Sequence, residues 1–528
     1  AGPTKRFIEL THSAYATRLG GDLGKYFIAT FTDEPSLMSM LMRPRPYRII
    51  PWSQDFSREF KSRRGYEIEP LLPGLIAPAG PRAARARYDF WLTAAELVCE
   101  NFFVPIRDIC RKHNTLSGGH LLCEEQLLTH VPLYGDLFRC EKMLDAPSLD
   151  CLTSIPPSVH WYSARLVSSA GELIGRPDNM CETSDHAQRY RPKGDTRPPV
   201  LVTEDQIRGA CNRLMVSGIT CITSYYALNR FSDDVVQRLN LWIGRVCAML
   251  YGGHQACDVA ALYPIESIWP RFEPAHIWTQ DCPEPAKQLE RIYRQVSDAL
   301  FLNRRDFTFV DAETLAGGKV EGGALKWRDL SWPVVILPCV DTLPLKAWQN
   351  LAEFWRSGGV VVDVGALPAN SESEFPSPAV QALAREMFGE GGLDEARFQT
   401  SARGGIAVYL RERDGAKLPA LLNALIEPDV KVAPEDSPLR VTHRRKDGHE
   451  IFFVINDSAT PWEGEVSLSA GGKGERYDPA TGAIVPLASA DRIAVKLSGY
   501  GGVLFRFDKA SPRRRYPDAA KNLQELLR

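Results

Sequence analysis

The chain has 528 residues, and its 63 Lys and Arg against 65 Asp and Glu give a formal net charge of −2 at pH 7. A hydrophobic content of 44% and a charged content of 24% are those of a globular protein, which excludes a disordered or fibrous chain. The even charge balance lacks the basic excess of nucleic-acid-binding domains, so we predict no nucleic-acid partner. A chain of this length usually folds as two to four domains.

No apolar run approaches the ~20 residues needed to cross a bilayer, and residues 1–5 do not resemble a signal peptide. We therefore predict no membrane partner. The twelve cysteines are scattered without a CxxC pair, which favours a reducing compartment such as the cytoplasm over the periplasm or secretion. The chain does not start with Met, so we expect a further segment upstream of residue 1.

Residues 26–225 repeat one pattern, in which a short apolar run ends in polar or acidic residues and an amphipathic stretch follows. The five candidate strands are residues 26–32, 120–123, 149–154, 179–181 and 219–225. This alternation is typical of a (β/α)8 TIM-type barrel. Five strands cannot close such a barrel, so we expect its first three to precede residue 1. An open doubly wound sheet is the alternative, but it does not account for acidic residues at three strand ends.

Two further domains are predicted beyond the barrel. Apolar strand-like runs at 256–264, 307–310, 334–338 and 359–365, with a helix around 345–356, predict a flavodoxin-like α/β domain. From residue 439 alternating runs separated by Gly, Asp and Pro predict a β-sandwich. The predicted division is a catalytic barrel over 1–250, the flavodoxin-like domain over 251–432, the sandwich over 433–510 and a tail over 511–528.

The first candidate site lies at Asp33 and Glu34, directly after an apolar run and before Pro35, which ends the strand. Catalytic groups of TIM-type barrels project from the carboxyl ends of strands, so Glu34 is placed at the mouth of the barrel. Asp33 has the opposite side-chain direction and is a candidate for substrate binding.

The second candidate site is the pair Glu124 and Glu125, which follows His120 and two glycines. Neighbouring side chains on a strand face opposite ways, so only one of the two carboxylates can reach the cavity. We predict that Glu124 is catalytic, and that Glu125 and His120 bind substrate. His120 could instead be a buried, hydrogen-bonded strand residue.

The third candidate site is Glu182, a candidate catalytic acid that again ends a short strand. Asp185 and His186 open the loop that follows and are candidates for substrate binding. Cleavage of a glycosidic bond needs one carboxyl group to protonate the leaving oxygen and another to activate water or attack the anomeric carbon. Three acids at successive strand ends therefore predict a glycoside hydrolase, and two of them suffice. Sugars also stack on aromatic rings, for which Trp52 and Tyr225 are candidates.

Other chemistries find less support in the sequence. The sequence contains no HExxH motif or similarly tight spacing that would indicate a catalytic zinc, so the identity of any metal is left unknown. The sequence also lacks the GxSxG motif of a serine nucleophile and the glycine-rich motifs of nucleotide binding. We predict that the reaction requires no cofactor.

Around these residues the chain resembles the glycoside hydrolases of family 106, the α-L-rhamnosidase type, and related large bacterial glycosidases. The segments that carry the resemblance are residues 31–35, 51–56, 64–66, 71–73, 119–125, 181–184, 218–220 and 261–265. Residues 358–362 resemble the flavodoxin-like domain that follows many such barrels, and residues 477–482 resemble their terminal β-domain.

The resemblance implies an inverting α-L-rhamnosidase-type reaction on a glycoside or oligosaccharide, with Glu34 as general acid, Glu124 as general base and Glu182 as a substrate-binding residue. It also implies a calcium ion that helps to hold the sugar, without assigned ligands. Two alternatives stay open. One is a retaining glycosidase with Glu34 as acid/base and Glu182 as nucleophile, and the other is a non-catalytic carbohydrate-binding protein. The oligomeric state is left open.

Overall fold

The structure is a computed structural model that describes residues 2–37, 43–276, 279–511, 516 and 519–527. Its first part is a parallel sheet of five strands that lie side by side in chain order. The strands are β1 (Ala29–Asp33), β2 (Leu116–His120), β3 (Ala146–Cys151), β4 (Met180–Thr183) and β5 (Cys221–Ser224). The helices of this part are α1 (Gly2–Leu10), α2 (His12–Leu19), α3 (Phe56–Arg64), α4 (Leu72–Ile76), α5 (Ala83–Val98), α6 (Val104–Lys112), α7 (Leu127–Tyr134), α8 (Leu137–Glu141), α9 (Trp161–Ile174), α10 (His186–Arg189), α11 (Glu204–Met215) and α12 (Asp233–Leu250).

This half-barrel sheet confirms the predicted β/α alternation. One face of the sheet packs on helices through a cluster that includes Leu149, Cys181 and, from α9, Val167. The opposite face is open at β1, where the side chain of Phe31 is 49% exposed. Two of the acids predicted from the strand ends, Asp33 and Glu182, lie on that open face.

The second strand lies earlier in the chain than predicted. Residues 120–123 were expected to form it, but β2 ends at His120 and Cys123 has a positive φ of 62°. The reason is the close contact between β1 and β2, because a side chain on Gly119 would place its Cβ 2.2 Å from the carbonyl oxygen of Thr32. The two glycines therefore belong inside the strand, where only glycine allows the two backbones to approach so closely.

The second part is a six-stranded sheet that forms a continuous core with the half-barrel. Its strands and the shorter ones near them are β6 (His254–Gln255), β7 (Val259–Leu262), β8 (Phe307–Val310), β9 (Lys319–Glu321), β10 (Ala324–Trp327), β11 (Leu330–Trp332), β12 (Val334–Pro338), β13 (Val360–Val364), β14 (Arg397–Thr400) and β15 (Ile406–Leu410). The helices are α13 (Ile265–Ile268), α14 (Glu284–Leu302), α15 (Ala312–Gly317), α16 (Leu345–Arg356), α17 (Pro378–Phe388) and α18 (Leu418–Leu425).

The parallel strands of the second sheet lie in the order β8, β7, β12, β13 and β15, with β14 antiparallel at the edge. This is the 2-1-3-4-5 order of a flavodoxin-like sheet. Runs such as residues 360–364 are buried along their whole length, because helices cover both faces of a parallel sheet. The strands β8 and β12 and the helix α16 occupy the residues that the sequence predicted.

The last part consists of antiparallel strands. They are β16 (Val430–Ala433), β17 (Leu439–Lys446), β18 (His449–Asn456), β19 (Trp462–Leu468), β20 (Ala470–Tyr477), β21 (Ile484–Leu487), β22 (Ile493–Leu497) and β23 (Gly502–Ala510). A three-stranded and a six-stranded sheet share one apolar core, in which Val466 and Ile493 from the first meet Phe452 and Phe505 from the second. Short β6 joins the edge of the larger sheet.

In the predicted tail 511–528, the structure places a final helix, α19 (Ala519–Leu527), and residues 512–515, 517, 518 and 528 lie outside the described residues. The predicted domain boundaries stay predictions. All twelve cysteines are free thiols. Within the described ranges, no helix combines the length and the apolar character needed to cross a membrane.

Candidate functional site

The open face of the half-barrel gathers acidic side chains from several strands. Asp33 is paired in register with His120, and Asp150 is paired in register with Glu182. Register partners in a parallel sheet point to the same face, and so do residues two apart on one strand. Since His120 also pairs with Ser148, two residues before Asp150, all four side chains leave the sheet on one side.

His120 lies at the centre of this face. Its imidazole Nε2 is 3.4 Å from a carboxylate oxygen of Glu182 and 3.6 Å from one of Asp33. The ring of Phe31 meets the imidazole edge to face at 5.1 Å. Only 2% of His120 is exposed, and its Nδ1 has no hydrogen-bond partner among the described residues. His120 is therefore buried and contacts two of the predicted acids, and its role in substrate binding stays a prediction.

Glu34 follows the end of β1 in a left-handed conformation, with φ at 46°. Its backbone N–H donates to the carbonyl oxygen of His120 at 3.2 Å, which fixes the turn against β2. Partial burial raises the pKa of Glu34, nearby His120 lowers it, and the negative charges of Asp33, Glu125 and Glu182 raise it further. A raised pKa keeps a carboxyl group protonated to higher pH, as a proton donor requires.

Asp150 is a member of this face that the sequence analysis missed. Burial raises its pKa to about 7, with further contributions from the negative charges of Glu182, Glu34, Glu125 and Asp33. Its Oδ1 is buried without a hydrogen-bond partner among the described residues. The signal in the sequence was an acid inside the apolar run 149–154, which was read only as a strand.

The two glutamates after β2 occupy different environments. Glu124 is buried, and its carboxylate accepts a hydrogen bond from the backbone N–H of Leu121 at 3.2 Å. Burial and the neighbouring charge of Glu125 raise the pKa of Glu124 well above its ordinary value. Glu125 is half-buried, and its negative charge raises the pKa of both Glu34 and Asp150. The structure therefore brings Glu125 to the open face, and the catalytic role predicted for Glu124 stays a prediction that its burial disfavours.

We call Asp33, Glu34, Glu125, Asp150 and Glu182, together with His120, the acidic cluster. The two loop residues predicted beyond Glu182 have other surroundings. The carboxylate of Asp185 is fully buried and binds Arg189 and Arg230, each at 2.7 Å, so both of its oxygens are engaged. The exposed ring of His186 stacks on Tyr190 at 5.1 Å. Their predicted roles in substrate binding stay predictions.

The two predicted aromatic platforms lie near the strand ends. Tyr225 is exposed directly after β5, and its N–H donates to the carbonyl oxygen of Thr183 at 2.8 Å. Trp52 lies 5.0 Å from Phe56 and lines an apolar groove of about 560 Å³ that Pro35 also lines. Trp52 thus shares a groove with the residue after Glu34, Tyr225 follows the strand next to that of Glu182, and the contact of either ring with sugar stays a prediction.

The resemblance implies a calcium ion, and its ligands stay unassigned. Across the described ranges, no group of three or more His, Cys, Asp or Glu side chains is arranged to hold a metal ion.

Comparison with known proteins identifies related sequences. Residues 229–490 match the family model of glycoside hydrolase family 106, described as α-L-rhamnosidase. A protein of Formosa agariphila named putative β-glucuronidase is 22% identical over 429 residues, which is 77% of this chain and 32% of that protein. The acidic cluster lies before the residues that the family model matches.

Comparison of structures gives the same class of neighbours. The rhamnosidase of Novosphingobium sp. PP1Y superposes over 97% of this chain and 48% of its own, with a TM-score of 0.68 and 18% identity. A family 42 β-galactosidase, Gan42B, covers 95% of this chain and 80% of its own at a TM-score of 0.62 and 13% identity. The β-galactosidase of Bacillus circulans sp. alkalophilus gives a TM-score of 0.62 at 13% identity, covering 94% of this chain and 82% of its own. This chain thus spans about half of the rhamnosidase and about a third of the sequence relative.

Proposed function

We propose that this chain, which is a glycoside hydrolase family 106-like protein, hydrolyses a terminal glycosidic bond by carboxyl acid/base catalysis at the acidic cluster. The observation that carries the proposal is that carboxyl groups of β1, β3 and β4 lie on one face of the sheet, where those of Asp33 and Glu182 contact the imidazole of His120. Like charges brought together and partly buried raise each other's pKa, and such groups are typical of catalytic sites.

Glu34 is the proposed proton donor to the leaving oxygen. Its pKa is raised by burial and by the neighbouring acids, so its carboxyl group keeps the proton to higher pH than an ordinary glutamic acid does. The left-handed turn at Glu34 places this carboxyl group at the end of β1, beyond the last strand hydrogen bonds. Positioned proton transfer of this kind contributes about 10²- to 10⁴-fold to the rate.

Glu182 is the proposed second carboxylate. It lies beside His120, and the partly exposed side chain leaves it accessible from the open face. As a general base it activates a water molecule and inverts the anomeric configuration, whereas as a nucleophile it gives retention. We propose that the reaction inverts the anomeric configuration, because the family resemblance implies inversion. The alternative is retention, with Glu34 as acid/base and Glu182 as nucleophile.

The proposed substrate is an α-L-rhamnoside, or a glycoside with a related terminal sugar. The description of the matching family and the name of the Novosphingobium neighbour support rhamnose, whereas the name of the Formosa relative points to a uronic acid. Glu125 and Asp33 offer further carboxylate oxygens that can accept hydrogen bonds from sugar hydroxyl groups.

The test is hydrolysis of a panel of 4-nitrophenyl glycosides that includes the α-L-rhamnoside and the β-D-glucuronide. NMR of the first-formed sugar then reports inversion or retention. Release of nitrophenol by the wild-type chain, and its loss in the Glu34→Gln variant, supports the proposal. Binding of sugars without release of product, unaffected by substitution of Glu34 and Glu182, overturns it in favour of a carbohydrate-binding protein.

A further inference from the structure

Asp150 and Glu182 lie side by side on the open face of the half-barrel. They are register partners on the neighbouring parallel strands β3 and β4. Backbones of neighbouring strands are about 4.8 Å apart, and register partners in a parallel sheet point to the same face. Two carboxyl groups therefore meet at this point, and one of them, Glu182, is the proposed base or nucleophile.

No basic side chain offsets the charge of this pair. Within the part of the chain that the structure describes, neither Asp150 nor Glu182 forms an ion pair with a lysine or an arginine, and Glu182 instead contacts the imidazole of His120. Two ionised carboxylates so close to each other repel, so one of them retains a proton at a pH where an isolated acid is ionised. The pair therefore holds a single proton over a range of pH.

The surroundings of the two acids decide where that proton lies. Nε2 of His120 is 3.4 Å from a carboxylate oxygen of Glu182 and can donate a hydrogen bond to the ionised form. Oδ1 of Asp150 has no such donor, because it is buried without a hydrogen-bond partner among the described residues. Burial, followed by the negative charge of Glu182, raises the pKa of Asp150 to about 7. The proton therefore belongs to Asp150.

Other titratable groups surround Asp150. Those that contact the pair or interact electrostatically with Asp150 are Asp33 and Glu34 at the end of β1, His120, Glu124 and Glu125 at and after the end of β2, and Cys181 beside Glu182 on β4. All of them except His120 add negative charge when they ionise, which further favours the neutral form of Asp150.

We infer that Asp150 is a positioning residue, which keeps its proton and donates a hydrogen bond to the carboxylate of Glu182, so that Glu182 is held in the ionised form that the reaction uses. This inference rests on the proposed function, in which Glu182 acts as base or nucleophile. No proton leaves Asp150 during turnover, and Asp150 does not touch the substrate. The role is the same whether the reaction inverts or retains the anomeric configuration.

The pH dependence of kcat/KM tests this role, because its acidic limb reports protonation of the base or nucleophile. In Asp150→Ala and Asp150→Leu the carboxylate of Glu182 loses its donor. We expect the acidic limb to move to higher pH by about one unit, the effect of one lost hydrogen bond to a charged group. In Asp150→Asn an amide N–H donates in place of the carboxyl group, so the limb should keep its wild-type position.

The alanine and leucine variants control for each other. Leucine shields Glu182 from water whereas alanine admits water, so a shift of the same sign in both reports the lost hydrogen bond rather than a change in hydration. Asp363→Asn is the matched control and should leave the limb in place. Asp363 is another acid within a parallel strand, and it is fully buried, but it lies on β13 of the second sheet.

An acidic limb that moves to lower pH in all three Asp150 variants would show that Asp150 is an anion in the wild type, which overturns the inference. An unmoved limb in Asp150→Ala and Asp150→Leu, shifts of opposite sign in these two variants, or an equal shift in Asp150→Asn also overturns it. Circular dichroism at each pH checks that the variants are folded.

A measurement without substrate separates this inference from the proposed function. The C=O stretching band of a protonated carboxyl group is distinct from the bands of a carboxylate, so infrared difference spectra between the wild type and Asp150→Asn detect the proton on Asp150. We expect a protonated band at about pH 6 that disappears as the pH rises through about 7. In Glu182→Gln the band should disappear at lower pH, because the charge of Glu182 no longer opposes ionisation of Asp150.

If the chain hydrolyses no glycoside, this infrared pattern still supports the pairing of Asp150 with Glu182. A missing band at about pH 6, or a band that does not respond to Glu182→Gln, counts against the pairing whether or not the chain is active.

Discussion

The imidazole of His120 reaches across the intervening strand β3 to within 3.4 Å of the carboxylate of Glu182. His120 ends β2 and Glu182 lies in β4, so neither residue is the register neighbour of the other. The contact exists because the side chain at the matching position of β3 is the small Ser148, which leaves space for the ring. The histidine thereby joins acids from separate strands into one interacting group.

Replacement of His120 should shift the pH dependence of the reaction. Nearby His120 lowers the pKa of Glu34, against the dominant effect of burial. In His120→Ala the pKa of Glu34 therefore rises further, and the alkaline limb of kcat/KM, which reports loss of the donor's proton, moves to higher pH. His449→Ala, on a strand of the last part, is the control and should keep the wild-type profile. An unshifted limb in His120→Ala contradicts the role given to Glu34.

Replacement of each of the three candidate glutamates by glutamine should affect catalysis to a different extent. Glu34→Gln and Glu182→Gln should lower kcat by about 10²- to 10⁴-fold, the contribution of positioned acid/base groups. Glu124→Gln should keep most of the activity, because this buried side chain accepts a hydrogen bond from Leu121 and an amide oxygen can do the same. Steady-state rates with circular dichroism as a check of folding provide the measurement. Loss of activity in a folded Glu124→Gln variant would instead support Glu124 as the general base, the role that the resemblance implies.

The stability of the fold should depend on the ionisation of Asp150. Its pKa is about 7 in the folded chain against an ordinary value of 3.8, because of burial and the neighbouring acids. Between these values the folded state binds more protons than the unfolded state, so the free energy of unfolding falls as pH rises through this window. The Asp150→Asn variant cannot ionise at this position, so it avoids this loss of stability at high pH. We expect its melting temperature to exceed that of the wild type at pH 8 and to match it near pH 3, and the same difference at both pH values would exclude the assignment.

A buried ion pair joins the half-barrel to the last sheet. Arg444 of β17 binds Glu172 of α9 at 2.6 Å, with side chains only 5% and 7% exposed. The other oxygen of Glu172 accepts from the backbone N–H of Gln255 at 3.0 Å. Arg444→Met should lower the free energy of unfolding by about 3–5 kcal/mol, because it leaves a buried charge unpaired. The double variant with Glu172→Gln should recover part of that loss in urea denaturation, and a purely additive result rules out coupling.

Much of the second and third parts could be predicted from local sequence. Residues 307–310 and 334–338 form the predicted strands because they are short and mostly apolar, and residues 345–356 form the predicted helix because their apolar residues recur at helical spacing. The resemblance to family 106 glycosidases is confirmed by the family match and by the rhamnosidase neighbour. Strand β2 was misplaced, since a glycine pair inside a strand looks like a turn until the neighbouring backbone is known.

The candidate site was predicted less completely. The sequence located Glu34 and Glu182 at strand ends, where alternation and Pro35 mark the boundaries. It favoured Glu124 over Glu125 as the catalytic acid, but the two are adjacent and which of them faces the cavity depends on how the chain turns after Cys123, which has a positive φ. Asp150 was missed because its position beside Glu182 is a property of the register between β3 and β4.

The sequence alone determined many of the strands and helices, though not the bounds of β2, and it placed acids near several strand ends, since these features depend on apolar periodicity and on residues that stop a strand. Only the tertiary structure decided which acids face each other, which one is buried, and that α14 closes a cleft beside Glu125. The physical reason is that pKa and access to substrate depend on burial and on charges brought together from distant parts of the chain, and neither is set by neighbours in sequence.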